Sequence, residues 1–113
     1  MSFLTALNSI LADLGFVTET GVFSSAPPDE YVVLTPLADG FPLFCDDYPL
    51  FETQEVRVSL FCTGNYTERV KRITIALIAS GIVITDRRYV GFDADTKYHN
   101  YCTDVIAVNI WDS

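Results

Sequence analysis

The first 56 residues contain no lysine and no arginine, yet they hold nine carboxylates. All seven bases (Arg57, Arg69, Lys71, Arg72, Arg87, Arg88 and Lys97) follow, against six further acids, so the halves carry −9 and +1 and the whole −8. A chain of that balance does not track a phosphate backbone well, which disfavours plain nucleic-acid binding. Cysteine is scarce and odd in number. Cys45, Cys62 and Cys102 lack the paired spacing of a zinc site, so they read as reduced thiols with buried structural roles in a cytosolic product. Apolar runs stop at four or five residues, far short of the roughly 20 that span a bilayer. The opening Met1-Ser2-Phe3 has no basic region and no small-residue cleavage site, so it does not read as a secretory signal. Low-complexity tracts are lacking too, and 113 residues suit one domain with a real core.

Catalytic equipment is equally thin. The one histidine, His99, stands three residues before Cys102. On a strand those positions point to opposite faces, so they make no nucleophile–base pair, and His99 reads as a solvent-facing strand residue. Asp46-Asp47 and Asp93-Ala94-Asp95 are close carboxylate pairs. Neither has the ligand count or glycine placement of a dedicated Ca²⁺ loop, so both read as solvated turn acids. No phosphate-cradling glycine pattern occurs. The expectation is a non-enzyme with no catalytic, cofactor-binding or metal residues, and no cofactor.

What the chain does hold is periodicity. Phe3, Leu4, Leu7, Ile10, Leu11 and Leu14 recur at helical spacing behind Ser2 as N-cap, and Gly15 sits where a left-handed residue ends a helix. A short edge strand is expected within 16–23, and Tyr31-Val32-Val33-Leu34 reads as a strand that Pro36 ends. Val56, Val58 and Leu60 alternate with Glu55, Arg57 and Ser59 in the clearest strand, 54–62. Asn65, with Glu68 three residues on, opens a second helix whose inward stripe is Val70, Ile73, Leu77 and Ile78, and Ser80-Gly81 closes it. Residues 82–92 and 98–111 form the last two strands, the final one apolar on both faces and therefore central or covered. The expected fold is α+β: a mostly antiparallel sheet of four to five strands, two helices packed on one face, and a long extended arm between strands.

That arm, residues 36–52, is the most informative stretch. Pro36, Pro42 and Pro49 argue against both a helix and a central strand. Phe41, Leu43, Phe44, Tyr48, Leu50 and Phe51 nevertheless need cover from water. Long structureless loops are uncommon in compact domains and usually functional. In so short a chain the expected cover is a neighbouring subunit. Even partly extended, the segment reaches on the order of 40 Å.

The charge asymmetry points the same way, because an acidic half and a slightly basic half offer complementary surfaces for head-to-tail contacts, which close into rings when the rotation permits. Arg69, Lys71 and Arg72 lie near the start of the second helix, against its dipole, where an acidic partner would stabilise them. Arg87, Arg88 and Tyr89 are expected at a subunit boundary with Asp46 and Asp47 as partners. Tyr66, Tyr89, Tyr98 and Tyr101 fall outside the core stripes, and tyrosine is favoured at interfaces. The candidate interface is therefore Phe41, Leu43, Phe44, Asp46, Asp47, Tyr48 and Phe51 of the arm with Arg69, Arg72, Arg87, Arg88 and Tyr89.

The order and spacing of these elements resemble the tail-completion (tail-terminator, head–tail joining) proteins of long-tailed bacteriophages. The likeness runs from the helix 3–14 through Pro27-Pro28-x-x-Tyr31-Val32-Val33-Leu34, the arm and the strand Thr53–Cys62. It continues through the Gly64-Asn65-Tyr66-Thr67-Glu68 turn and its helix to Arg87-Arg88-Tyr89 and the strand preceded by Tyr98-His99. The resemblance implies a structural virion protein of the tail or neck, made in the host bacterial cytoplasm. It implies a homo-hexameric ring on the finished tail tube that ends tube growth. Its partners would be itself, the major tail protein and the head connector or stopper, with no membrane, and genome DNA would pass through without specific binding. A connector-side head-closure (stopper) ring is the alternative, and an acidic nucleic-acid-mimic inhibitor a more remote one.

Overall fold

The computed structural model describes residues 3–20, 29–45 and 48–110, with side chains over 3–19, 29–39 and 52–108. Its elements are α1 (Phe3–Asp13), β1 (Thr18–Thr20), β2 (Glu30–Cys45), β3 (Tyr48–Cys62), α2 (Tyr66–Ala79), β4 (Val83–Phe92) and β5 (His99–Ile110). The architecture is α+β, with a five-stranded mixed sheet in the order β1-β2-β3-β5-β4. Only the β1–β2 pairing is parallel; the other three are antiparallel. β5 is thus an interior strand, flanked by β3 and β4, one of the two placements expected from its apolar faces. β3 and β4 both run opposite to β5, so α2 connects two parallel strands across it.

Both helices end alike. The amide of Gly15 donates to the Ala12 carbonyl at 2.9 Å, and that of Phe16 to the Leu11 carbonyl at 3.1 Å. Gly81 repeats the first bond to Ile78 at 3.0 Å, and Ile82 the second to Leu77 at 3.0 Å. This double bond demands a left-handed residue after the last turn, and the glycines supply it at φ 91° and 78°. Phe16 and Leu11 are both buried, completing the apolar contact that accompanies the motif. At the other end of α2, Asn65 caps the helix by accepting from the Glu68 amide at 3.4 Å.

One core lies between the helices and one face of the sheet. Phe3, Leu7 and Leu11 of α1 and Val70, Ile73 and Leu77 of α2 meet Val32 and Leu34, Val56, Val58 and Leu60, and Val105. The fourth residue of the expected α2 stripe departs: Ile78 is 63% exposed. It follows Leu77 by one position, and a 100° step turns it off the buried face. Cys62 and Cys102 are buried thiols, as expected.

The arm differs most from expectation. It is a two-stranded ribbon formed by the outer parts of β2 and β3, with Asp39 opposite Gln54, Leu43 opposite Phe51 and Cys45 opposite Tyr48. Pro36 does not end its strand. β1 borders β2 only at Val32–Leu34, so beyond Thr35 the outward edge of β2 has no neighbour among the described residues. A proline there removes a donor that no ladder needs. The described part of β5 reaches Ile110, opposite Phe51. The register slips between Pro36 and Ala38, Gly40 and Leu43, and Leu43 and Phe44, so bulges absorb the irregular residues. The ribbon makes the molecule long: 54 × 25 × 23 Å, with a radius of gyration of 15.4 Å against about 13 Å for a compact chain of this length.

Candidate functional site

The cations separate by strand register and helix face. Arg69 pairs with Glu30 at the start of β2 and donates to the Asn65 carbonyl at 2.8 Å. Hydrogen bonding to Glu30 holds its pKa above the ordinary value. Arg72 donates to the Leu14 carbonyl at 2.7 Å, closing the C-terminus of α1, and its guanidinium lies 5.5 Å from the centre of the Phe16 ring. The partners expected for these two helix-start arginines therefore lie inside the subunit, an acid for one and a helix end for the other.

Arg87 stands opposite Thr103 and Arg88 opposite Cys102, so the two point to opposite sheet faces as adjacent strand residues must. Arg88 pairs with Asp86 at 3.1 Å on the face that no described helix covers. Arg57 and Asp104 share that face and form a two-pronged pair at 2.8 and 3.1 Å, which holds the Arg57 pKa up. Arg87 turns to the helix side and donates to the Thr74 hydroxyl at 3.2 Å. Asp46 and Asp47, the acids expected opposite these arginines, lie outside the described residues. Phe41, Leu43, Phe44, Tyr48 and Phe51 lie on the ribbon by backbone position, and their side chains are likewise outside the described set.

Tyr89 belongs to an aromatic cluster. Its hydroxyl shares a 2.9 Å hydrogen bond with His99 Nδ1, and its ring lies 5.0 Å from that of Tyr66. His99 is also 4.9 Å from Tyr66 and 4.7 Å from Phe92. The expectation of a solvent-facing histidine is thus corrected: His99 is partly buried among rings. It stands on the opposite face from Cys102, as strand parity required. The alternation of His99 and Tyr101 along β5 signals a shared face, but their meeting with Tyr66 and Tyr89 depends on where α2 docks.

Two more features emerged only from register. Tyr31 and Phe61, directly opposite in β2 and β3, stack at 4.8 Å, with Tyr98 edge-on at 5.4 Å. They floor an open cleft of about 650 Å³ reaching Val90 and the 93–96 turn. Burial pushes the Tyr31 phenol pKa up, assisted by Tyr98. In that turn Asp93 accepts from the amides of Asp95 at 2.9 Å and Thr96 at 3.4 Å, so its carboxylate organises the turn. Among the described residues no helix is long and apolar enough to cross a membrane. No known family model matches the chain, and no curated protein matches it.

Proposed function

We propose that the chain is a structural subunit of a bacteriophage tail, assembling as a ring at the head-proximal end of the tail tube, ending tube growth and joining tail to head connector. The observation that carries this reading is the ribbon 37–53. It runs outward from the strand residues that form the core, and its sequence holds seven large apolar residues: Leu37, Phe41, Leu43, Phe44, Tyr48, Leu50 and Phe51. A device of that kind suits a protein that folds as one body and assembles through another. The charge distribution supports it too. An acidic subunit lets a polyanionic genome slide past, and unequal halves favour head-to-tail contacts.

Electron microscopy of particles assembled without this chain tests the proposal. Filled heads beside unjoined tails of uncontrolled length are expected. Unjoined tails of normal length with leaking heads would assign the subunit to the stopper ring instead, and normal joined particles would refute both.

A further inference from the structure

Between α2 and the outer strand β4 lies an open groove of about 330 Å³, at the small end of ligand-sized clefts. Tyr66, Val70, Ile75 and Tyr101 supply its apolar floor, and Lys71 and Arg87 its charge; no carboxylate lines it among the described residues. Ile75 is 57% exposed at its edge. Arg57, Arg69 and Arg88 each pair with a carboxylate of their own chain. Arg87 instead donates to the neutral Thr74 hydroxyl, which leaves its charge uncompensated by that bond. The groove therefore asks for a short segment that is both aromatic and acidic.

We propose that the groove receives the arm tip of a second copy, Phe44-Cys45-Asp46-Asp47-Tyr48, with Asp46 and Asp47 against Lys71 and Arg87 and an adjoining ring over Ile75. The match is one of charge and of chemistry: two adjacent acids flanked by aromatics, in a half-chain without a base, against two cations over an apolar floor. Geometry forbids the contact within one molecule. Tyr48 opens β3 and Cys62 closes it, roughly 45 Å apart at about 3.3 Å per residue. α2 starts beyond Cys62 and returns only about 14 Å by Ile75 at 1.5 Å per residue, so a gap on the order of 30 Å remains. Arm and groove are different patches, so the contact is heterologous and propagates from copy to copy until it closes. The inference rests on the ring reading for its partner and names the contact that reading requires.

Sedimentation velocity of the full chain over a concentration series tests it. Lys71 and Arg87 are exposed, so K71E/R87E is expected to keep the parent's circular dichroism. The parent associates, less so at high salt, and K71E/R87E associates roughly tenfold or more weakly. D46K/D47K, with its groove intact, is equally impaired. An equimolar mixture of the two variants regains the parent's association, because each variant's arm then meets a groove of opposite charge in the other. The variant carrying all four changes regains self-association. A parent that stays monomeric up to about 1 mM, a groove variant that associates like the parent, or a mixture that stays monomeric overturns the proposal. Adding the same proteins to growing tail tubes separates the two readings. A parent that associates through the groove but leaves tubes growing keeps this contact and loses the tail reading. Arrest by K71E/R87E as efficient as the parent's overturns the groove contact and keeps the tail reading.

Discussion

Removing the arm distinguishes an assembly device from a part of the core. Deleting 39–50 and joining Ala38 to Phe51 through a short turn leaves the described core intact, because Phe3–Phe16, Val32–Leu34, Val56–Cys62, Val70–Leu77 and Val105 all lie outside the cut. The lost ladder from Asp39–Gln54 outward is largely paired within the ribbon itself, and a shorter connection slightly lowers closure entropy. The expected change in stability is within about 1 kcal/mol, or roughly 4–8 °C in melting temperature for a domain of this size. The opposing view has Phe41, Phe44 and Phe51 filling the subunit's own core. Losing buried phenylalanines costs about 3–5 kcal/mol each, and two deleted with a third displaced would approach the whole 5–15 kcal/mol that holds a domain together. Circular dichroism and thermal melting separate the cases cleanly. A deletion protein that is unfolded, or melts more than about 15 °C below the parent, refutes the reading of the arm as an intersubunit device.

Three further predictions concern the subunit itself. Leu77→Ala should cost about 2–5 kcal/mol in urea unfolding, whereas the neighbouring Ile78→Ala should stay within about 1 kcal/mol; equal effects would place both on the core face, against the 0% and 63% exposures. Asn65→Ala removes the acceptor for the Glu68 amide and should cost about 1 kcal/mol, while Asn65→Asp, which restores an acceptor, should remain close to the parent. Phenolate absorbance on alkaline titration should show a late-ionising phase for Tyr31, and Tyr31→Phe should abolish it. Because burial raises the Tyr31 pKa, its contribution is fully present below the unfolded value of about 10 and is lost as pH rises from there through the folded value; a parent and Tyr31→Phe with parallel stability curves above that pH would contradict it.

Helix ends and strand parity, settled within a turn or two of chain, were legible beforehand. Gly15 and Gly81 stop their helices because only a glycine takes the left-handed conformation there without strain, and Asn65 starts α2 because its side chain reaches the amide three residues on. The alternation of Val56, Val58 and Leu60 set the buried face of β3, and parity placed His99 and Cys102 on opposite sides. The outline of the sheet followed from such local signals. The arm did not, because a proline's cost in a strand depends on whether a neighbour lies on its N–H side, and for Pro36 only the short reach of β1 decided that. The interface candidates divided for the same reason. Arg69 and Arg72 read as cations in need of a partner near the helix start, and they meet groups 39 and 58 residues away in the same chain. Arg87, one position from Arg88, turns the other way onto a groove that exists only because α2 docks beside β4. Local pattern determines which way a side chain points from its own element; what it meets there is set by the register and docking of distant elements, and that only the tertiary structure decided.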